Sequence, residues 1–331
     1  MKSIDISEAW NNDSNWIAND CTNGENWFRE KAMHSQLSSV GSASGIVKYL
    51  GSNNKDARNF KLRLYMEYCP HGDLKDLLCK HAKFDQANSE NMLDDNDNPI
   101  PHVRIPLRAL WSFFNDLAMA ACIMELGLNP TSDTDEGLSN WMDIIHRDLK
   151  PNNIFLAAPL ASTGRGIPVC KVGDFGSAVP FGFEPLPNPQ VMCRAGTKGW
   201  RAPEQQQYPE TDDPYELCSR TNIWAIGRIM LALIELTPGS WPARLPDVRY
   251  DDEKKGEVIH CEMKDQLQAI YGEELYRLVE RCLPPVPDHR ITAEELLQTT
   301  QRQVKRLFNN APPELGEGDV LEYARDLRWG I

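Results

Sequence analysis

Three short runs hold the residues of this 331-residue chain best suited to chemistry: IIHRDLKPNNIF at Ile144 to Phe155, VGDFG at Val172 to Gly176 and GTKGWRAPE at Gly196 to Glu204. Asp148, Lys150 and Asn153 share the first run, Asp174 stands in the second between an apolar stretch and a glycine, and Thr197 lies in the third. Carboxylate, ammonium, amide and hydroxyl groups of these kinds handle protons, dense negative charge and hard cations. A lone Asp or Asn more often caps a helix or makes a turn. That plain reading accounts for each residue singly and fails for the ordered set.

The elements that position these runs follow from periodicity. Met1 to Ile6 reads as a strand, followed by a polar Asn/Asp-rich run to residue 29. Glu30, Met33 and Leu37 recur at helical spacing, and SSVGSASG (Ser38 to Gly45) breaks that helix. Two strand-like runs come next, Ile46 to Leu50 and Lys61 to Tyr68, separated by the turn-rich GSNNKDARN, and Leu74 to Leu78 suits a short helix. Residues 85-102 are acidic and poor in aliphatics, which predicts a solvated insertion. Leu107 to Leu126 is a long apolar helix, and a second polar insertion spans 129-140. Ile154 to Leu156 and Val169 to Val172 read as buried strands split by a Ser/Gly/Pro loop at 157-168. After Pro203 the chain reads as mostly helical, ending in a patterned helix near Thr292 to Phe308 and a tail with Pro312, Pro313, Gly316 and Gly318. A small strand-bearing front and a large helical back predict two lobes with a cleft between them.

Composition narrows the class. With 41% apolar and 25% charged residues the chain is neither disordered nor a coiled-coil rod. Nine Cys, an odd number, include no CxxC pair, so a disulfide framework or zinc knuckle is a poor reading and a cytoplasmic or nuclear compartment is expected. The stretch Thr221 to Leu236 carries Arg228 and Glu235 and is shorter than the roughly 20 residues that a bilayer requires. It is expected to be a buried helix, with no membrane partner. No apolar leader stands at the N-terminus. A net charge of −13 argues against sequence-independent nucleic-acid binding.

The ordered runs H-R-D-L-K-P-x-N, D-F-G and A-P-E closely resemble the eukaryotic protein kinase superfamily, serine/threonine type. The resemblance implies ATP and Mg²⁺ as cofactors and a Ser/Thr hydroxyl of a protein as acceptor. By it, Asp148 would accept or orient the proton of the attacking hydroxyl and Lys150 would neutralise the γ-phosphate. Asn153 and Asp174 would be the metal ligands, while His146 and Phe175 would pack. Thr197 would bridge Asp148 and Lys150, and with Lys150 it points to Ser/Thr specificity. LRLYMEYCPHGDL resembles the adenine-holding hinge: Met66 would be the gatekeeper, Glu67 and Cys69 would offer backbone groups to adenine, and Asp73 would reach the ribose. Arg290 of PDHRIT would pair with Glu204, and TNIWAIG (Thr221 to Gly227) matches the central buried helix.

The sequence departs from the family at its front. No G-x-G-x-x-G precedes the hinge, and Gly24 is the only glycine before residue 41. Glu30 is the candidate helix glutamate and Lys2 the candidate partner lysine. On that reading the chain begins inside the lysine-bearing strand, and the first two strands of the small lobe lie outside it. Asn222 replaces the Asp that usually opens the central helix, which predicts a less firmly held catalytic loop. His34 falls where a large aliphatic usually continues the spine packed through both lobes. Ser177 is the only hydroxyl residue between Gly176 and Gly196, so Arg147 is expected to lack a phosphorylated partner there.

The expected fold is therefore α+β and bilobed, protein-kinase-like, with a reduced β-rich N-lobe lacking the first strands and a large mainly α-helical C-lobe. The expected units are 1-68, a partial N-lobe; 69-310, hinge and C-lobe; and 311-331, a C-terminal tail. The expected function is a serine/threonine protein kinase, N-terminally incomplete, with a pseudokinase acting as a binding or scaffolding module as the alternative. A small-molecule kinase of the aminoglycoside or choline type shares the H-x-D-x-x-x-x-N loop and lacks A-P-E.

Overall fold

The computed structural model describes residues 1–5, 16–18, 26–40, 45–56, 61–89, 104–130, 141–160, 166–181, 195–206, 217–238, 248–251, 256–259, 267 and 270–309. The expectations for Ile6, for most of the two polar insertions and for the tail from Ala311 lie outside the described residues.

The front part contains β1 (Lys2–Asp5), β2 (Trp16–Ala18), β3 (Asn26–Phe28), α1 (Arg29–Ser39), β4 (Tyr49–Asp56) and β5 (Lys61–Met66). The back part contains α2 (Leu74–Ser89), α3 (Leu107–Leu126), β6 (Ile144–Ile145), β7 (Ile154–Ala157), β8 (Val169–Val172), β9 (Val179–Pro180), α4 (Pro203–Gln206), α5 (Ser219–Glu235), β10 (Val248–Asp251), β11 (Gly256–Ile259), α6 (Glu273–Cys282) and α7 (Ala293–Asn309).

The front sheet runs β1-β5-β4, antiparallel throughout, with Lys2 opposite Leu64 and Tyr49 opposite Met66. β4 extends through Gly51–Asp56, where the sequence suggested a turn. Backbone pairing with β5 satisfies the ladder, and an edge strand wetted on one face tolerates Ser52 and Asn53. Residues Glu30, Met33, His34 and Leu37 form the buried stripe of α1, the i, i+3, i+4, i+7 spacing of a helix packed on one side. Helix α2 also outruns its expected end, to Ser89, because Ala82, Lys83, Gln86 and Ala87 are good helix formers and helical hydrogen bonding needs no apolar side chain.

The back part is organised on α3, which packs against α7, α5 and β8. By length and composition α3 could cross a membrane, and its burial within the protein explains that hydropathy as a core helix. It ends at Gly127, whose φ of 65° and close approach to the Trp141 ring exclude a side chain. Helix α5 is buried all round, and a capping box between Cys218 and Thr221 starts it. The hairpin β7–β8, with Ile154 opposite Val172, and the short pair β6–β9 carry the chemistry-bearing runs on their ends.

Candidate active site

The segment between β6 and β7 holds Asp148, Lys150 and Asn153, and the return from β8 holds Asp174. Their meeting is set by backbone: the Gly173 amide donates to the Asn153 carbonyl at 3.0 Å, and His146 Nε2 lies 3.0 Å from the Gly173 carbonyl. A carbonyl only accepts, so His146 carries its proton on Nε2, and Nδ1 accepts the Asp148 amide at 3.3 Å. Full burial, first, pushes the His146 pKa down, which keeps that neutral tautomer.

Asp148 is the hub. Its Oδ1 accepts both the amide and the hydroxyl of Thr197 at 2.8 Å each, and its Oδ2 accepts Lys150 Nζ at 2.8 Å. Lys150 Nζ also reaches Thr197 Oγ1 at 2.7 Å, closing a triangle of carboxylate, ammonium and hydroxyl. Asn153 Nδ2 donates to the Asp148 carbonyl at 2.8 Å, which leaves its amide oxygen as the acceptor end. Gly196 brings Thr197 in: its φ is 95°, and a Cβ there would lie 2.1 Å from the Arg147 carbonyl.

Across the cleft, Lys2 Nζ donates to Glu30 Oε1 and to Asp174 Oδ1, each at 2.7 Å. Burial works against the Lys2 ammonium, and the Glu30 and Asp174 carboxylates outweigh it, so its pKa is raised. For Asp174 burial is likewise overcome, chiefly by the Lys2 hydrogen bond, and its pKa is lowered. Glu30 is the more buried carboxylate, and its burial exceeds what Lys2 returns, so its pKa is raised. Of two carboxylates on one ammonium, Asp174 keeps its charge and Glu30 protonates first. Asp174 sits at φ 62°, a strained backbone for a non-glycine residue, as does Arg147 at φ 64°.

The hinge residues follow β5. The Glu67 amide donates to the Lys48 carbonyl at 2.9 Å, so of its backbone groups the carbonyl remains for a ligand. Its side chain is a clamp that the sequence did not signal: Oε1 accepts the Lys48 amide at 2.9 Å and Lys171 Nζ at 2.7 Å. Cys69 is half-buried, and burial, with the Glu67 charge, raises its thiol to about 11. Asp73 caps α2, its Oδ1 accepting the Asp76 amide at 2.9 Å, and burial raises its carboxyl.

Further polar contacts brace the segment between β6 and β7 and its surroundings. Asn222 Oδ1 accepts the His146 amide at 3.0 Å while its Nδ2 donates to the Ile144 carbonyl at 2.8 Å. The expected loosening is therefore offset, because an amide supplies a donor that a carboxylate lacks. Gln205, buried and aperiodic in sequence, was missed: its Nε2 donates to the Arg147 carbonyl at 2.8 Å and its Oε1 accepts the Ala202 amide at 3.0 Å. Arg147 Nε donates to the Ser177 carbonyl at 2.6 Å. Glu204 and Arg290 form a bidentate pair at 2.7 Å on both arms, fully buried.

Among the described residues no cluster of three His, Cys, Asp or Glu side chains could hold a metal ion by itself. Asn153 and Asp174, brought together by the Gly173–Asn153 bond, offer a carboxylate and an amide oxygen, a hard-donor set that fits Mg²⁺ completed by phosphate oxygens and water.

A strand-rich front that brings Lys2 to Asp174 and a helical back that holds Asp148, Lys150 and Thr197 together have the architecture of a protein kinase. A sequence profile described as "Protein kinase domain" matches residues 140–300. Over that segment the chain matches the protein kinase family, and the relatives it resembles are named as protein kinases, one of them of the serine/threonine type. It is 27% identical over 278 residues to "G2-specific protein kinase nim-1" of Neurospora crassa, covering 81% of this chain and 26% of that protein. It is 27% identical over 250 residues to "G2-specific protein kinase nimA" of Emericella nidulans, covering 72% and 30%. It is 25% identical over 243 residues to "Serine/threonine-protein kinase Nek2" of Homo sapiens, covering 73% and 43%. The chain thus spans less than half the length of these relatives. A solved structure of the CAK complex from Chaetomium thermophilum bound to ATP-gamma-S superposes with a TM-score of 0.52 at 22% identity, covering 82% of this chain and 74% of that one, a likeness of fold.

Proposed function

We propose that the protein transfers the γ-phosphoryl group of ATP to a serine or threonine hydroxyl of a protein substrate. The observation that carries this reading is the triangle of Asp148, Lys150 and Thr197. Asp148 has the position and acceptor oxygens to orient the attacking hydroxyl and take its proton. Lys150 neutralises charge on the transferring group, and Thr197 holds both side chains in register. Mg²⁺, held by Asn153 and Asp174, would supply neutralisation of phosphate charge. Lys2, steadied by Glu30, directs its ammonium toward the nucleotide phosphates. The Glu67 carbonyl and the Cys69 backbone take the adenine edge, and the second oxygen of Asp73 is available to the ribose. The units 1-68 and 69-310 serve as the two walls of this cleft. The free thiols of Cys69, Cys79, Cys122, Cys170, Cys218 and Cys282 fit a reducing cytoplasmic or nuclear setting.

One observation favours the alternative, a nucleotide-binding or scaffolding module without turnover. Lys2 holds Asp174 as well as Glu30, and an Asp174 that stays on Lys2 is a poorer metal ligand. Incubating the purified chain with radiolabelled ATP, Mg²⁺ and a mixed Ser/Thr peptide library separates the two. Metal-dependent label on Ser or Thr supports the kinase, and nucleotide binding with no label on peptide supports the module.

A further inference from the structure

His34 is fully buried on α1, one turn after Glu30, at a position where packing alone would call for an aliphatic side chain. Its Nε2 lies 2.6 Å from the Val47 carbonyl, so Nε2 carries the proton. Its Nδ1 is buried with no hydrogen-bond partner, a penalty that a residue present only to fill space would not carry. The ring sits 5.1 Å from the Phe175 ring, which is itself 5.0 Å from the His146 ring. Val47 is itself fixed to the strand that ends at the site: its amide donates to the Val172 carbonyl at 2.9 Å, two residues before Asp174. A chain of hydrogen bonds therefore runs from α1 through Val47 to β8, and β8 leads through the Gly173 carbonyl to His146.

We propose that His34 is a positioning residue for phosphoryl transfer, a neutral Nε2–H strut that ties α1 to the Val47 carbonyl and so sets Glu30 against Asp174, the two carboxylates that share Lys2. The inference rests on the kinase reading for its kinetic consequence and on geometry alone for the strut. Burial, first among the causes, lowers the His34 pKa to about 4; Lys2 and His146 add to the lowering, while the Val47 carbonyl and Asp174 oppose it. The ring is thus neutral wherever the enzyme would work, and its role is that of a fixed donor.

The test compares His34→Leu, which fills the space without a donor, with His34→Gln, which retains one, in the full chain. The strut predicts that His34→Leu keeps the wild-type melting temperature or exceeds it. It also predicts a fall in kcat/KM for ATP of about tenfold. His34→Gln is expected to recover to within about threefold of wild type, the range in which a retained but imperfect hydrogen bond falls. Leucine at full kcat/KM, or glutamine no better than leucine, would overturn it. A second readout needs no turnover: in protein labelled with ¹⁵N histidine and lysine, His34 should show the Nε2-protonated neutral pattern down to pH 5. The Lys2 ammonium signal should shift in His34→Leu. A His34 protonated on Nδ1, or a Lys2 signal unmoved by the leucine, overturns the strut whether or not the chain transfers phosphate. Absence of transfer in wild type with both spectral results as expected overturns only the kinase reading.

Discussion

Lys2 and Asp174, 172 residues apart, meet at 2.7 Å and join the front sheet to the end of β8. The same ammonium binds Glu30 at 2.7 Å, so one cation fixes the strand, the helix and the candidate metal ligand relative to one another.

Lys2→Met should lower kcat/KM for ATP by about 10- to 100-fold, the loss of a charge-assisted contact, with the fold retained. Glu30 adds a pH signature. Its carboxyl is raised by burial, so its charge is lost first as pH falls, and Lys2 is left to Asp174 alone. The pH profile of kcat/KM for ATP should show an acid limb that Glu30→Gln removes.

Glu204 and Arg290 form a fully buried pair under the loop that carries Thr197, and Arg290 also stacks over Trp224 at 5.1 Å. Removing either partner strands a buried charge. Glu204→Gln or Arg290→Met should cost about 3–5 kcal/mol in urea denaturation.

Asn222 joins Ile144 and His146 through both ends of its amide. Asn222→Ala leaves a buried carbonyl and a buried amide unpaired, and should cost about 3 kcal/mol in the same assay. Activity should fall further than stability alone explains, because the His146 amide begins the catalytic loop.

His34 gives a stability prediction with a definite sign. Its native pKa is about 4 against 6.5 in the unfolded chain, so the unfolded state takes up the proton first as pH falls. Above pH 6.5 the ring is neutral in both states and proton uptake has no effect; as pH falls toward 4, protonation of the unfolded chain removes about 3 kcal/mol of stability. His146 is shifted the same way. The drop in unfolding free energy from pH 7 to pH 4 should therefore be smaller in His34→Leu than in wild type by about that amount.

Arg147 binds the Ser177 backbone carbonyl, a contact that needs no hydroxyl. Ser177→Ala should leave peptide phosphorylation within about twofold of wild type, as expected of a substitution that removes no buried contact. A phosphate mapped stoichiometrically to Ser177 and needed for activity would contradict this.

Helices with a strong apolar stripe were legible in sequence: α3 runs from Leu107 to Leu126 as expected, and Glu30, Met33 and Leu37 mark α1. The candidate site residues stand out in sequence because their order along the chain is itself the signal. What escaped was set by partners distant in sequence. Gly51–Asp56 is a strand because β5 lies beside it, and nothing in GSNNKD says so. Gln205 and the Glu67 side chain act through backbone groups 58 and 19 residues away, bonds that no local pattern encodes. Asn222 was read as a weakened Asp because the sequence shows the lost charge and hides the Ile144 carbonyl that its Nδ2 reaches.

Asp148 is the centre of the candidate site, its carboxylate holding both Thr197 and Lys150. Asp148→Asn keeps the shape and removes the base, so single-turnover phosphoryl transfer to a Ser/Thr peptide should fall at least about 100-fold. Nucleotide affinity measured on the same protein should stay within about threefold, since general-base loss acts on the transition state and not on binding. Transfer by Asp148→Asn at a rate close to wild type would contradict that role.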